Sequence, residues 1–177
     1  MNNDVKVKEI TKIEINNIYN MDCIEGMEKM IQQGIKIDLI LCDLPYGTTA
    51  HKWDSIIPFN DYIVVGKNKY SCDEFLLYSF KKGKDYNTAI KEFVKNKQNG
   101  LWTCYKSLIK DDGVIVLFAT QPFTSKLICS SLDLYRYSWI WKKNKPTGHL
   151  NSKYAPLKAT EDICIFSKSK VGSLSKK

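Results

Sequence analysis

Residues 35–42, Ile-Lys-Ile-Asp-Leu-Ile-Leu-Cys, are apolar apart from Lys36 and Asp38, and the run stops abruptly at Asp43-Leu44-Pro45-Tyr46-Gly47. So short an apolar stretch, bounded by turn residues, is the pattern of a β-strand covered on both faces, as in the middle of a parallel sheet. Pro45 has no N–H to give to a sheet ladder, so it cannot continue a central strand. Ligands of open α/β sheets bind beyond the carboxyl ends of the strands, which makes Asp43 a candidate for chemistry.

The flanking segments suit such a sheet. Residues 13–20 alternate weakly and are rich in isoleucine, predicting a short strand. Asp22 then offers an acidic N-cap to an amphipathic helix that Gly34 stops. Residues 60–100 are more polar and read as a helical insertion, with Ile90, Phe93 and Val94 on one face of a helix over 88–97. A helix over 101–109 leads through Asp111-Asp112-Gly113 into a buried strand at 114–118, and the order strand, helix, strand implies parallel pairing. Further strands are predicted at 135–141 and 162–167, separated by a loop over 142–160. No repeat or linker divides residues 1–177, so the chain reads as a single α/β domain.

Composition narrows the class. With 44% apolar and 26% charged residues, nine Gly and five Pro, the chain is neither disordered nor collagen-like. No apolar run approaches the roughly 20 residues of a membrane-spanning helix, and the first ten residues lack a signal-peptide core, so a cytoplasmic location and no membrane partner are expected. The six cysteines lie far apart without a CxxC pair, predicting free, buried thiols and no metal site. Of the formal charge of +8, +7 falls in 142–177, where nine lysines meet only Glu161 and Asp162. A polyanion is the natural partner.

The turn at 43–46 offers a planar, amine-bearing ring two things: a carboxylate to accept its N–H bonds and, in Tyr46, an aromatic face to stack on it. Asp43-Leu44-Pro45-Tyr46 resembles the Asp/Asn/Ser-Pro-Pro-Tyr/Phe signature of the amino-methylating DNA methyltransferases, with Leu44 replacing the first proline. The resemblance continues in the family's order through 18–27 (Ile-Tyr-Asn-Met-Asp-Cys-Ile-Glu-Gly-Met), 52–59 (Lys-Trp-Asp-Ser-Ile-Ile-Pro-Phe), 113–118, 121–125 (Gln-Pro-Phe-Thr-Ser) and 139–142 (Trp-Ile-Trp-Lys). Together these segments are similar to phage and bacterial adenine-specific enzymes of the β-type motif order.

That resemblance implies a Rossmann-like methyltransferase fold with a mostly parallel sheet. It implies S-adenosylmethionine as methyl donor, double-stranded DNA as partner and a restriction–modification or phage setting. The target adenine would be flipped out of the duplex, its amine held by Asp43 and the main-chain carbonyl of Leu44, with Pro45 and Tyr46 completing the catalytic turn. Tyr46 would stack on the base, with Trp139 or Trp141 on its other side. Asp22, Cys23 and Asp43 would lie on the donor side. Within the basic loop 142–160, Lys142, Lys143, Lys145, His149 and Lys153 would contact DNA phosphates. The chemistry needs no dedicated histidine, so His51 and His149 are not assigned acid–base roles. Arg136 is the only arginine, so bidentate reading of guanine is almost unavailable.

The family's donor site also uses a Phe-x-Gly-x-Gly loop, whereas no two glycines here are nearer than eight positions, Gly26 to Gly34. The resemblance therefore covers the family's N-terminal portion and implies an incomplete fold, with the glycine-loop half supplied by a missing C-terminal half or a complementary chain. Two alternatives accompany the adenine-N6 reading: cytosine-N4 methylation, since both reactions modify an exocyclic amine, and a catalytically inactive DNA-binding remnant.

Overall fold

The computed structural model describes residues 10–169. In chain order the elements are helix α1 (Cys23–Gln32), strand β1 (Ile37–Asp43), strands β2 (Tyr62–Val65) and β3 (Asn68–Ser71), helices α2 (Cys72–Lys81), α3 (Tyr86–Asn96) and α4 (Leu101–Leu108), strand β4 (Ile109–Ala119), helix α5 (Phe123–Cys129), and strands β5 (Tyr135–Thr147) and β6 (Lys158–Phe166). The main sheet has the order β1-β4-β6-β5. β1 pairs parallel with β4, and β6 runs antiparallel to both β4 and β5. Strands β1, β4 and β5 thus point one way and β6 the other, a mixed α/β sheet with a parallel majority.

Local chemistry sets the elements. Asp22 caps α1 by accepting from the N–H groups of Ile24 (2.9 Å) and Glu25 (3.2 Å). Gly34, at φ +69°, ends it: its N–H bonds Ile31 O and the Ile35 N–H bonds Met30 O, a Schellman motif. One sheet face, carrying Ile115, Leu117, Ala119, Cys164 and Phe166, packs with Leu101, Trp102 and Tyr105 of α4 and Phe123 and Leu127 of α5 into the main core. Each large side chain buried there is worth about 2 kcal/mol of transfer free energy.

Several expectations need correction. Residues 13–20 form no strand; they turn at Asn16 (φ 61°) and leave Ile15 and Ile18 exposed. A weak alternation becomes a strand only where a neighbour takes its backbone hydrogen bonds, and among the described residues none lies beside it. Among the described residues β1 is an edge strand and is not covered on both faces. Ile40 and Cys42 pack against the core, while Leu39 and Leu41 are 55% and 63% exposed. The register puts these leucines on the same sheet face as Val114 and Val116 of β4, and as Tyr137 and Trp139 of β5 beyond β6.

The insertion at 60–100 is not wholly helical. β2 and β3 form an antiparallel hairpin turning at Gly66 (φ +64°), and Ser71 and Glu74 then make a capping box at the start of α2. Ile63, Phe75 and Phe93 build a second, small core. On α3 the inward residues are Ala89 and Phe93, and Val94 points outward. Asp61 fastens the insertion to α4, accepting from Gly100 N–H (2.9 Å) and Thr103 Oγ1 (2.6 Å) and pairing with Lys97.

The loop expected over 142–160 is shorter than that: β5 continues to Thr147 and β6 begins at Lys158, because Lys142 pairs with Thr160 and Thr147 with Lys158 across an irregular stretch of antiparallel ladder. Among the cysteines, only Cys104 and Cys164 are fully buried, Cys23 and Cys129 are exposed, and all are free. Among the described residues no helix is long and apolar enough to cross a membrane, and no group of three His, Cys, Asp or Glu is placed to hold a metal ion.

Gly100 is where the insertion meets the core. A Cβ there would fall 2.3 Å from the main-chain carbon and oxygen of Asn60, so the backbone itself would have to shift. Gly100→Ala is expected to cost about 2 kcal/mol or more in chemical denaturation, and a wild-type midpoint would refute this packing.

Candidate active site

β1 delivers Asp43 to the carboxyl end of the sheet, level with Phe118 of β4. The next side chain, Leu44, is 5% exposed and belongs to the main core, which anchors the turn from beneath. Tyr46 is half-buried: its ring centroid lies 5.2 Å from that of Phe123, and its hydroxyl donates to Asp43 Oδ1 at 2.6 Å. Burial, and then the bond to Asp43, push the Tyr46 phenol well above the ordinary tyrosine range, so it stays protonated and remains a donor.

Behind the turn lies a residue to which the sequence reading gave no role. Asp54, 5% exposed, accepts from the N–H groups of Gly47 (3.0 Å), Thr48 (2.8 Å) and Thr49 (2.7 Å). Burial alone would raise its pKa. The amide and hydroxyl of Thr49, with the amides of Gly47 and Thr48, outweigh burial and hold the carboxyl down at about 2. Gly47 adopts φ +67°, and a Cβ there would meet Ile56 Cγ1 at 2.8 Å, so the chain leaves the turn along a path only glycine permits. The available signal was the segment Lys52-Trp53-Asp54 itself, a short 3-10 turn whose aspartate points back at the preceding loop.

Two cavities meet at this turn. The smaller, about 390 Å³, is lined by Asp43, Leu44, Pro45, Tyr46, Trp53 and Asp54 together with Thr48 and Thr49. The larger, about 790 Å³, extends to Asp22 and Cys23 at the start of α1, to Ile56 and Ile57, and to Lys69 and Lys97 of the insertion. Pro45 and Trp53 belong to both. Of the residues singled out for the donor, Asp22 and Cys23 face the larger cavity and Asp43 faces the smaller. Asp22 also caps α1 through Oδ1, so both of its suggested roles occupy one carboxylate.

Trp139 and Trp141 line neither cavity; they lie on β5, separated from β1 by β6 and β4, 57% and 48% exposed. Trp141 packs edge-on against Phe118, and Trp139 against Tyr137. The basic residues divide. Lys143 pairs with Glu161, their side chains only 16% and 18% exposed, whereas Lys142, Lys145, His149 and Lys153 are open to solvent. Arg136 donates to the main-chain oxygens of Ser167 and Ser169, which keeps the single arginine occupied within the fold.

No protein-family model matches the sequence, and no curated protein matches it. Among solved structures, the crystal structure of the M1.HpyAVI–SAM complex aligns over 86% of this chain and 55% of that one, at 18% identity and a TM-score of 0.47. A crystal structure of M1.HpyAVI aligns over 86% of this chain and 56% of that one, at 16% identity and a TM-score of 0.45. The chain spans about half the length of these structures.

Asp54 titrates at about 2 in the folded protein against an ordinary 3.8. Its stabilisation is therefore complete above the ordinary value and is lost as pH falls through about 2. The amide resonances of Gly47, Thr48 and Thr49 are expected to shift together near pH 2 in the native protein and to lose that transition in Asp54→Asn. Titrations that coincide in the two proteins would remove the clamp.

Proposed function

We propose that this chain acts as a DNA methyltransferase, transferring a methyl group from S-adenosylmethionine to the exocyclic amine of an adenine extruded from double-stranded DNA. The observation that carries the reading is the pair of cavities sharing Pro45 and Trp53, one holding the Asp43 turn and the other reaching Asp22 and Cys23. Direct transfer requires the reacting atoms to be held about 3–3.5 Å apart. Contiguous acceptor and donor sites divided by one proline meet that need.

The larger cavity suits the donor. Its size lies within the range of about 300–1,000 Å³ usual for ligand pockets. Asp22 and Glu28 offer carboxylates to ribose hydroxyls, Lys52 offers a cation to the methionine carboxylate, and Trp53, Ile56 and Ile57 give an apolar wall for a purine. S-adenosylmethionine, when bound, supplies an electrophilic methyl group.

The rest falls to the chain's own groups. The exocyclic nitrogen of adenine is a poor nucleophile because its lone pair is delocalised into the ring. The Asp43 carboxylate and the Leu44 carbonyl, accepting one N–H each, favour a more tetrahedral nitrogen whose lone pair is free to react. Leucine at 44 retains the carbonyl that this task needs. Tyr46 holds Asp43 Oδ1 in place and lends its ring to the base. Asp43 is open to water on one side, where the proton released by the amine can depart. An aspartate at 43 and the wider sequence similarity favour adenine over cytosine.

A second reading, DNA binding without transfer, is favoured by one observation: among the described residues no glycine lines the larger cavity, and glycine is the residue that lets a backbone approach a ligand most closely. Calorimetric titration with S-adenosylmethionine separates the two, and no heat of binding would select the second. With labelled donor and duplex DNA, Asp43→Ala is expected to lower transfer about 100-fold or more while leaving duplex affinity unchanged. Undiminished turnover would remove Asp43 from the mechanism, and nucleoside analysis of the product distinguishes N6-methyladenine from N4-methylcytosine.

The lysines give a separate expectation. Neutralising Lys142, Lys145 or Lys153 should each flatten the logarithmic salt dependence of duplex binding by about 0.9. Lys143→Ala, which strands Glu161, should leave that slope alone and lower the melting temperature. Equal effects of all four on the slope would contradict the division between paired and free lysines.

A further inference from the structure

The connection between β5 and β6 carries two large apolar side chains that the fold leaves in water. Leu150 is 99% exposed and Tyr154 is 90% exposed, and among the described residues neither the ring nor the hydroxyl of Tyr154 has a partner. Other exposed aromatics on this sheet, Trp139 and Trp141, at least pack against neighbouring rings. The projecting pair is therefore unlike ordinary partial exposure.

The tip that carries it is built. Gly148 turns the chain at φ +94°, a short 3-10 turn covers His149–Asn151, and main-chain bonds run from Asn151 N–H to Gly148 O and from Ala155 N–H to Asn151 O, both 3.0 Å. Leu150 and Tyr154 are thus held outward by the backbone.

Charge identifies what they meet. No acidic residue falls between Lys142 and Thr160. With Lys143 neutralised by Glu161, the cations facing solvent here are Lys142, Lys145, Lys153 and Lys158, with His149 beside them. An apolar pair inside a cationic collar matches a partner that is anionic outside and apolar within, and a duplex, with phosphates around stacked bases, has that construction.

We propose that Leu150 and Tyr154 form a wedge that enters the base stack where the target nucleotide has left it, while the surrounding lysines hold the flanking phosphates. The proposal rests on the chain being a DNA-binding enzyme that extrudes its target, and it names the residues that fill the gap. Extrusion exposes apolar base faces and abandons stacking contacts; an aliphatic and an aromatic side chain restore part of both. The lysines alone would bind intact and opened duplex equally, because the phosphates are the same in each.

The test uses the full chain and fluorescence anisotropy with two duplexes of equal length, one intact and one with a single abasic site that presents the gap already made. The native protein should prefer the abasic duplex about tenfold, because the wedge finds its gap already open there and must displace a stacked base in the intact duplex. Leu150→Ala and Tyr154→Ala should each reduce that preference, and the double variant should abolish it, with the salt slope and melting temperature unchanged. Lys145→Ala combined with Lys153→Ala should do the opposite, flattening the slope and keeping the preference. Equal affinity of the native protein for both duplexes, a preference that survives the double variant, or no duplex binding at all would each overturn the wedge. Equal affinity with methyl transfer intact would leave the proposed activity standing. Preference for the abasic duplex without transfer would keep the wedge and remove the enzyme.

Discussion

A strand that must stop at a proline, with an acid as its last residue, is the constraint on which the site depends. Stopping β1 would achieve little if the chain then wandered. Leu44 drops into the core immediately after Asp43, Gly47 turns the backbone left-handed against Ile56, and Asp54 collects three successive amides behind the turn. Apolar burial, a steric exclusion and a charge-assisted hydrogen-bond network thereby fix the same few residues from different directions. With that turn rigid, Pro45 and Trp53 become a partition with a cavity on either side.

The sheet is strongly asymmetric. Its helix-covered face is packed and nearly dry, while the opposite face keeps Leu39, Leu41, Tyr137, Trp139 and Trp141 substantially in water. The outer edge of β1 pairs with nothing among the described residues. Charge is uneven too. Lys97 pairs with Asp61 and Lys143 with Glu161, and among the described residues the other lysines about the β5–β6 connection face outward without such partners. A lysine count therefore overstates what is available to an anionic partner, and position decides which charges remain.

Much of the fold was legible where a short-range rule decides the outcome. Asp22 and Gly34 bracket α1 because capping and left-handed termination involve neighbours in sequence. The parallel pairing of β1 and β4 follows from the helix between them. That residues 13–20 form no strand was not legible, because alternation says that a segment can pair without saying that a partner lies beside it. The inward face of α3 was misassigned at Val94, since a stripe only a few residues wide fits more than one rotation of a helix and the small core under Ala89 and Phe93 chose between them. The two tryptophans line neither cavity, and their place on β5, with Trp141 against Phe118, is set by strand order, which no local pattern states.

By itself the sequence determined the composition of the turn, Asp43-Leu44-Pro45-Tyr46, and where the strand before it had to end, since proline's missing N–H and an apolar run's need for burial act over a few bonds. The tertiary structure alone decided that Asp54 clamps that turn, that β1 lies at the sheet's edge, that Lys143 is spent on Glu161, and that Leu150 and Tyr154 stand out in solvent. Each of these depends on which distant segment the folded chain brings near, and hydrogen bonds, ion pairs and burial respond to separation in space, which order along the chain does not record.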